Sequence, residues 1–222
     1  MDSERELLIS QINSLINEEI QNNPVTYNKD RPYQSYERIG FEGLRWSVEK
    51  RINEYGLDRF FNIEHNVLDI GSNFGFFVTE FALHCKEVHG IEPNHWLNTI
   101  GEITAKYLKV EDRVGFFDVF FDDFVNPIQY DVVLSLAAFF TQDKRERSEA
   151  KNYFSKIKSM LNPQGYLFYE STSYTKDKDN SHFVAKLEAL DAIKENLELE
   201  KEWETPSGSE GFFRQFAIAR KK

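Results

Sequence analysis

Cysteine is almost missing from this chain: Cys85 stands alone among 222 residues, so no internal disulfide can form. A fold held without disulfides fits a reducing compartment. Long apolar runs are missing too. No stretch of about 18 apolar residues occurs, which argues against a membrane span, and mean hydropathy is −0.55. The opening residues Asp2, Glu4, Arg5 and Glu6 lack the cationic start of a signal peptide. These absences lead to the expectation of a cytoplasmic protein. Basic charge is in deficit, with 27 Lys and Arg against 37 Asp and Glu, a net of −10. A surface of that sign repels phosphate backbones, so no nucleic acid is expected as a partner. Lys144-Arg145-Glu146-Arg147 and Lys221-Lys222 are short or interrupted and read as solvated surface. No His, Cys or carboxylate set stands at ligand spacing, so no metal is expected.

Aromatic residues, in contrast, are plentiful at 15%, with 20 Phe, enough for one well-buried domain with a small appendage. Residues 4–22 carry Leu7, Leu8, Ile12, Leu15, Ile16, Glu19 and Ile20 at helical spacing, an apolar stripe, and Asn22-Asn23-Pro24 ends the run. That stripe could pack on the domain or pair with a second copy, giving a homodimer through the N-terminal helix. A second helix is expected from Gly43 to Tyr55, with Leu44, Val48, Ile52 and Tyr55 on one side and Gly56 closing it.

From residue 66 onward strands and helices alternate. Strands are expected at 66–70, 86–91, 113–118, 130–136 and 165–170, and helices at about 74–84, 95–108, 144–160 and 181–194. Alternation of this kind implies right-handed crossovers and a mainly parallel α/β sheet with helices on both faces. The end differs: 197–203 and 211–219 read as a hairpin joined by Thr205-Pro206-Ser207-Gly208-Ser209. In such sheets ligands sit outside the carboxyl ends of the strands.

Four segments fall at those ends. The first is Val67-Leu68-Asp69-Ile70-Gly71-Ser72-Asn73-Phe74-Gly75, an apolar strand that ends in Asp and crosses a Gly-x-x-x-Gly turn into a helix. Backbone N–H groups face a ligand in that geometry, but the spacing is not the dinucleotide fingerprint. The second, Val88-His89-Gly90-Ile91-Glu92-Pro93-Asn94, ends a strand in an acid about twenty residues after the first glycine. Glu92 is placed to accept ribose hydroxyls; the plainer alternative makes it a helix-opening acid with Pro93 at the first helical position. The third is Phe120-Phe121-Asp122-Asp123-Phe124. The fourth is Tyr130 to Ala138, an apolar strand with a small-residue end.

In order and spacing these segments resemble the class I S-adenosylmethionine-dependent methyltransferases, from about residue 36 to the C-terminus. Leu68 to Gly75 is similar to the family's first motif, Glu92 to its ribose-binding acid, Tyr130 to Leu136 to its fourth motif, and Leu161 to Leu167 to the turn into its fifth strand. The resemblance implies a Rossmann-like fold of seven strands in the order 3-2-1-4-5-7-6. It divides the chain into a helical extension and lid at 1–60 and a cofactor-binding domain at 61–222. It also implies S-adenosylmethionine as cofactor, with Asp69, Gly71, Ser72, Asn73, Phe74, Gly75, Glu92, Pro93, Phe121, Asp122 and Leu136 around it.

Two departures stand out. Phe120 takes a place where many members carry an Asp near the adenine, so adenine would rest on the backbone at Phe121 and on Asp122. Phe139-Phe140-Thr141 stands where small-molecule members often place a His pair or Glu-His, so no general base is visible there. Upstream, Tyr33 to Tyr36 and Gly43 to Arg45 resemble the lid of methyltransferases that act on sugars. There a Tyr and an Arg, matching Tyr36 and Arg45, approach the methionine carboxylate; Arg45 reads equally well as a solvated helix residue. A hydroxyl nucleophile benefits from a base, and Glu170, Asp143 and His95 are the candidates near strand ends, with Tyr174 as a polar contact. The expected function is methyl transfer to a small polar acceptor, a sugar or glycoconjugate hydroxyl. The alternatives are a tRNA or protein methyltransferase and a non-catalytic S-adenosylmethionine-binding module.

Overall fold

The computed structural model describes residues 2–24, 26–125, 127–140, 149–208 and 210–222. Seven strands follow the order β3-β2-β1-β4-β5-β7-β6, as the resemblance implies. Two compact units divide the chain: Met1–His65 with Ser72–Val119, and Asn66–Gly71 with Phe120–Lys222.

In the first unit helix α1 (Asp2–Asn22) buries Leu8, Ile12, Ile16 and Glu19 against α4 (His95–Leu108). The expected stripe is therefore covered within the unit itself, although Leu7 turns to solvent at 59% exposure. The expected helix from Gly43 starts later. Helix α2 runs Val48–Tyr55, capped by Ser47, whose hydroxyl accepts the Lys50 N–H, and closed by left-handed Gly56. Residues 43–47 instead bend beside 32–35, with the N–H groups of Leu44, Arg45 and Val48 donating to the carbonyls of Pro32, Tyr33 and Ser35. Gly43 requires this: a Cβ there would lie 2.2 Å from the Gln34 carbonyl oxygen. Leu44 and Arg45 thus lie in a bend held by backbone hydrogen bonds, and Leu44 is exposed rather than on an apolar helix face.

Helix α3 (Phe76–Ala82), the parallel pair β2 (Glu87–Ile91) and β3 (Val114–Phe117), and α4 complete this unit. Asn94 caps α4, so Pro93 lies ahead of the cap and not at the first helical position. Three residues set the spacing of α3, α4 and β3. The Phe116 ring fills the space beside Gly75 and Gly101, where a Cβ would approach it to 2.5 Å in both cases.

In the second unit β1 (Asn66–Ile70), β4 (Tyr130–Leu136) and β5 (Leu161–Glu170) are parallel neighbours; β7 (Phe213–Arg220) runs antiparallel to β5, and β6 (Glu198–Pro206) pairs with β7. The C-terminal hairpin is present, with β6 extending through Thr205 and Pro206 so that its connection is 207–212. Strand β5 begins at Leu161, four residues before the expected start, because Leu161 already pairs with Tyr130. Helix α5 is described over Ala150–Met160, the earlier part of its expected range lying outside the described residues, and α6 runs Ser181–Asn196. Tyr153, Phe154, Phe139 and Tyr169 form the aromatic core here, with ring centroids 5.1–5.6 Å apart.

Gly101→Ala tests the Phe116 wedge. Helix propensity favours Ala over Gly by about 1 kcal/mol, whereas overpacking costs about 1–3 kcal/mol. The expected result in thermal denaturation is net destabilisation that Phe116→Leu in the same chain relieves; a stabilised Gly101→Ala would refute the wedge.

Candidate cofactor site

The second expected segment ends in the best-defined feature of the first unit. Glu92, 8% exposed, follows β2, and two backbone N–H groups hold its carboxylate: Asn73 donates to Oε2 at 3.2 Å and Asn94 to Oε1 at 3.1 Å. The glycine turn is bound to the same strand end, since the Ser72 N–H donates to the Ile91 carbonyl at 3.0 Å. Gly90 permits the approach: a Cβ on it would meet Ser72 Oγ at 2.8 Å and Val78 Cγ2 at 2.9 Å. Asn73 adopts φ 53° and Gly75 φ 69°. For Asn the left-handed region is tolerable though uncommon, and here it aims the N–H at Glu92.

Two polar atoms of the turn, Ser72 Oγ and Asn73 Oδ1, are buried with no hydrogen-bond partner among the described residues. Buried polar groups of that kind cost free energy unless something pairs them. A hydroxyl that can accept or donate and an amide oxygen that accepts fit a polar ligand bearing hydroxyl and amino groups, as S-adenosylmethionine does.

Other expected residues are engaged elsewhere. Phe74 is fully buried and packs edge-on against Phe41 and Phe76, so its side chain belongs to the core. The Tyr36 hydroxyl donates to Glu80 Oε2 at 2.7 Å, and Arg38 grips the same carboxylate in bidentate fashion at 2.7 Å on both bonds. Burial opposes charge on Glu80, but the Arg38 and then the Tyr36 hydrogen bonds outweigh it and hold its carboxyl below the usual range. Burial, then the Glu80 charge, pushes the Tyr36 phenol far up. Arg45 lies half-buried with its guanidinium carbon 5.9 Å from the Tyr33 ring centroid. His95, with a largely exposed side chain, pairs with Asp118 at 3.2 Å.

In the second unit Asp69 is buried on β1 beside Leu134 of β4. Gly71 follows at φ 72°, where a Cβ would approach the Ala138 methyl to 3.0 Å. Leu136 ends β4 opposite Glu170, and Ala137 then turns left-handed at φ 61° with its N–H on the Glu170 carbonyl. Phe121 packs its ring 4.7 Å from Tyr153, and Lys156 Nζ donates to the carbonyls of Phe121 and Asp122 at 2.7 and 2.9 Å. Burial lowers the Lys156 pKa, with the Asp122 and Asp123 charges pulling the other way. Glu170 is fully buried and ion-paired to Arg214 at 2.8 Å. Tyr174 is buried and donates to Glu204. Asp143 lies outside the described residues.

Three residues near these features escaped sequence reasoning. Asn98 donates to the Glu92 carbonyl at 2.8 Å and to Asp118 at 2.6 Å, bracing the end of β2 from α4. His182, on the first turn of α6, lies with its ring tilted at 4.2 Å from that of Phe140 and bonds Thr172 at 2.9 Å; burial lowers its pKa. Lys156 is the third. A polar residue within a helical period carries no signal of its partner, and each of these sits in one. Among the described residues there is no group of three or more metal-ligand side chains and no helix long and apolar enough to cross a membrane.

No protein-family model matches the chain. Among curated proteins it is similar to EEF1A lysine methyltransferase 2 of Danio rerio, 27% identical over 190 residues covering 80% of this chain and 75% of that protein. Among solved structures it is similar to the N-methyltransferase NodS of Bradyrhizobium japonicum WM9 with S-adenosyl-L-homocysteine bound, at TM-score 0.64 and 16% identity over 95% of this chain and 98% of that one. The cyclase SpnF superimposes at TM-score 0.68 and 12% identity over 95% and 93%. At such identities the solved structures speak for the fold. Taken with the sequence relative and the glycine turn, that fold defines the class: the chain is a class I S-adenosylmethionine-dependent methyltransferase. S-adenosylmethionine is accordingly its cofactor.

The Tyr36–Glu80–Arg38 cluster yields a pH test. Glu80 has a depressed pKa, so its stabilising contribution is present above the ordinary glutamate pKa and is lost as pH falls through the lower folded value. Glu80→Gln is expected to cost about 2 kcal/mol near pH 7. In thermal melts the gap to wild type should stay constant from pH 8 to about 5.5 and close below about 4.5; a gap unchanged at pH 4 would contradict this.

Proposed function

We propose that the protein transfers the methyl group of S-adenosylmethionine to a nitrogen, the side-chain amine of a lysine in another protein. The observation that carries the acceptor is the likeness to a lysine methyltransferase across four-fifths of the chain. Charge supports it: a net of −10 attracts a cationic acceptor and repels phosphate. The chemistry of the strand ends supports it as well. A hydroxyl acceptor benefits from a general base, and the strand-end carboxylate Glu170 is ion-paired to Arg214. An amine needs only to lose its ammonium proton to become a nucleophile, so this acceptor asks less of the strand-end carboxylates than a hydroxyl does.

When bound, S-adenosylmethionine supplies an electrophilic methyl group on a sulfonium. The chain's own residues bind and orient. Glu92, held by two N–H groups, accepts the ribose hydroxyls, and Ser72 Oγ and Asn73 Oδ1 pair polar groups of the methionine end. Asp69, Gly71, Phe121, Asp122 and Leu136 keep the roles that the family resemblance gives them, and Arg45 suits the carboxylate. Positioning of this kind can supply much of the rate of an in-line transfer. A sugar hydroxyl is the competing acceptor, supported by the likeness of Tyr33 to Tyr36 and Gly43 to Arg45 to the lid of sugar methyltransferases.

Two measurements check this. Glu92→Ala should weaken S-adenosylhomocysteine binding by about 10–100-fold in calorimetry, the loss of hydrogen bonds to a charged group; unchanged affinity would remove Glu92 from the site. Wild-type protein incubated with methyl-labelled S-adenosylmethionine and a soluble protein extract should yield labelled methyl-lysine after acid hydrolysis. Label recovered in a protease-resistant glycan fraction would instead establish the sugar.

A further inference from the structure

The Glu92 carboxylate is not held by its own loop alone. The Asn94 backbone N–H that binds it belongs to a residue whose side chain is tied twice: Oδ1 accepts the Trp96 N–H at 3.2 Å as the cap of α4, and Nδ2 donates to Glu19 Oε1 at 3.2 Å. Glu19 comes from the last turns of α1, 75 residues away in sequence, and is 1% exposed. Its other donors are Asn23 Nδ2 at 3.3 Å on Oε1, and Thr26 Oγ1 at 2.5 Å and Asn28 Nδ2 at 3.2 Å on Oε2. Asn28 in turn takes the Tyr33 N–H at 2.9 Å.

A buried carboxylate surrounded by neutral donors is an expensive arrangement, because its charge is desolvated with no cation paired to it among the described residues. Position 19 also falls on the face of α1 that carries Leu8, Ile12 and Ile16, where an apolar residue would pack at less cost. What the carboxylate does that a leucine would not is fix the Asn94 amide. Asn94 then presents its N–H to Glu92 Oε1, while Asn73 holds Oε2.

We infer that Glu19 is a positioning residue for cofactor binding: through Asn94 it orients the Glu92 carboxylate toward the ribose hydroxyls, making the N-terminal helix part of the adenosine site. This rests on the assignment of Glu92 to the ribose. Charge is the operative property, since a Gln at position 19 would turn an amide group toward donors that need an acceptor.

The test uses the full chain, calorimetry, and two probes: S-adenosylhomocysteine and its 2′,3′-dideoxy analogue, which lacks the hydroxyls. Glu19→Gln should lower affinity for S-adenosylhomocysteine by about ten-fold and leave affinity for the analogue within about two-fold, as expected for one lost charge-assisted hydrogen bond acting through the ribose. Asn94→Ser keeps a helix cap but deletes the amide link, so it should reproduce that pattern and carries the test if Glu19→Gln does not fold. The double variant should be no worse than either single one, because the two residues act in one chain of bonds. Equal losses for both probes would show a merely structural Glu19 and overturn the inference, as would no loss for either. Glu92→Gln separates the two ideas. If it fails to discriminate between the probes, the ribose assignment falls; if it discriminates and the Glu19 and Asn94 variants do not, only the positioning role falls.

Discussion

The cofactor end of the first unit depends on one carboxylate being held by two backbone N–H groups. Glu92 receives Asn73 from the glycine turn and Asn94 from the cap of α4, so three chain segments meet at one charge. Neither donor could reach it in an arbitrary backbone. Asn73 must turn left-handed, Gly90 must lack a side chain so that Ser72 can lie on β2, and Asn94 must be drawn to its place by Glu19. Charge-assisted hydrogen bonds are strong enough to justify such local costs, and bonds to backbone N–H groups also fix direction.

Packing supplies the rigidity that this arrangement requires. Phe116, Gly75 and Gly101 set how closely α3 and α4 approach, and a close-packed interior transmits displacement instead of absorbing it. The Tyr36–Glu80–Arg38 cluster does related work, binding the segment that precedes residues 43–47 to α3. Tyr36 was expected at the methionine carboxylate. Its hydroxyl is committed to Glu80, which makes it a tether between its own segment and α3.

Much of the fold was legible in the sequence, because strands buried on both faces read as unbroken apolar runs and their ends are marked by Gly, Pro and Asp. Strands β1 and β4 and helix α4 begin and end where the pattern places them. The helix expected from Gly43 was misplaced because apolar spacing does not register a steric demand: Gly43 is there for the Gln34 carbonyl. Of the candidate site, the turn and Glu92 were legible because family resemblance and spacing coincide in them. Glu19, Asn98, Lys156 and His182 were not. Each acts through a partner 10–75 residues distant, and only the folded chain shows which polar residue on a helix has one. Fold alone also leaves the reaction open, since a cyclase shares it; the methyltransferase class rests on the sequence relative and the turn together.

The central claim is that Glu92 takes the ribose of the methyl donor. A crystal structure with S-adenosylhomocysteine bound tests it most directly. The account predicts both ribose hydroxyls within hydrogen-bonding distance, about 2.6–3.2 Å, of the Glu92 carboxylate oxygens, with Asn73 and Asn94 still donating to it. An adenosyl group bound with its ribose away from Glu92 would contradict the account.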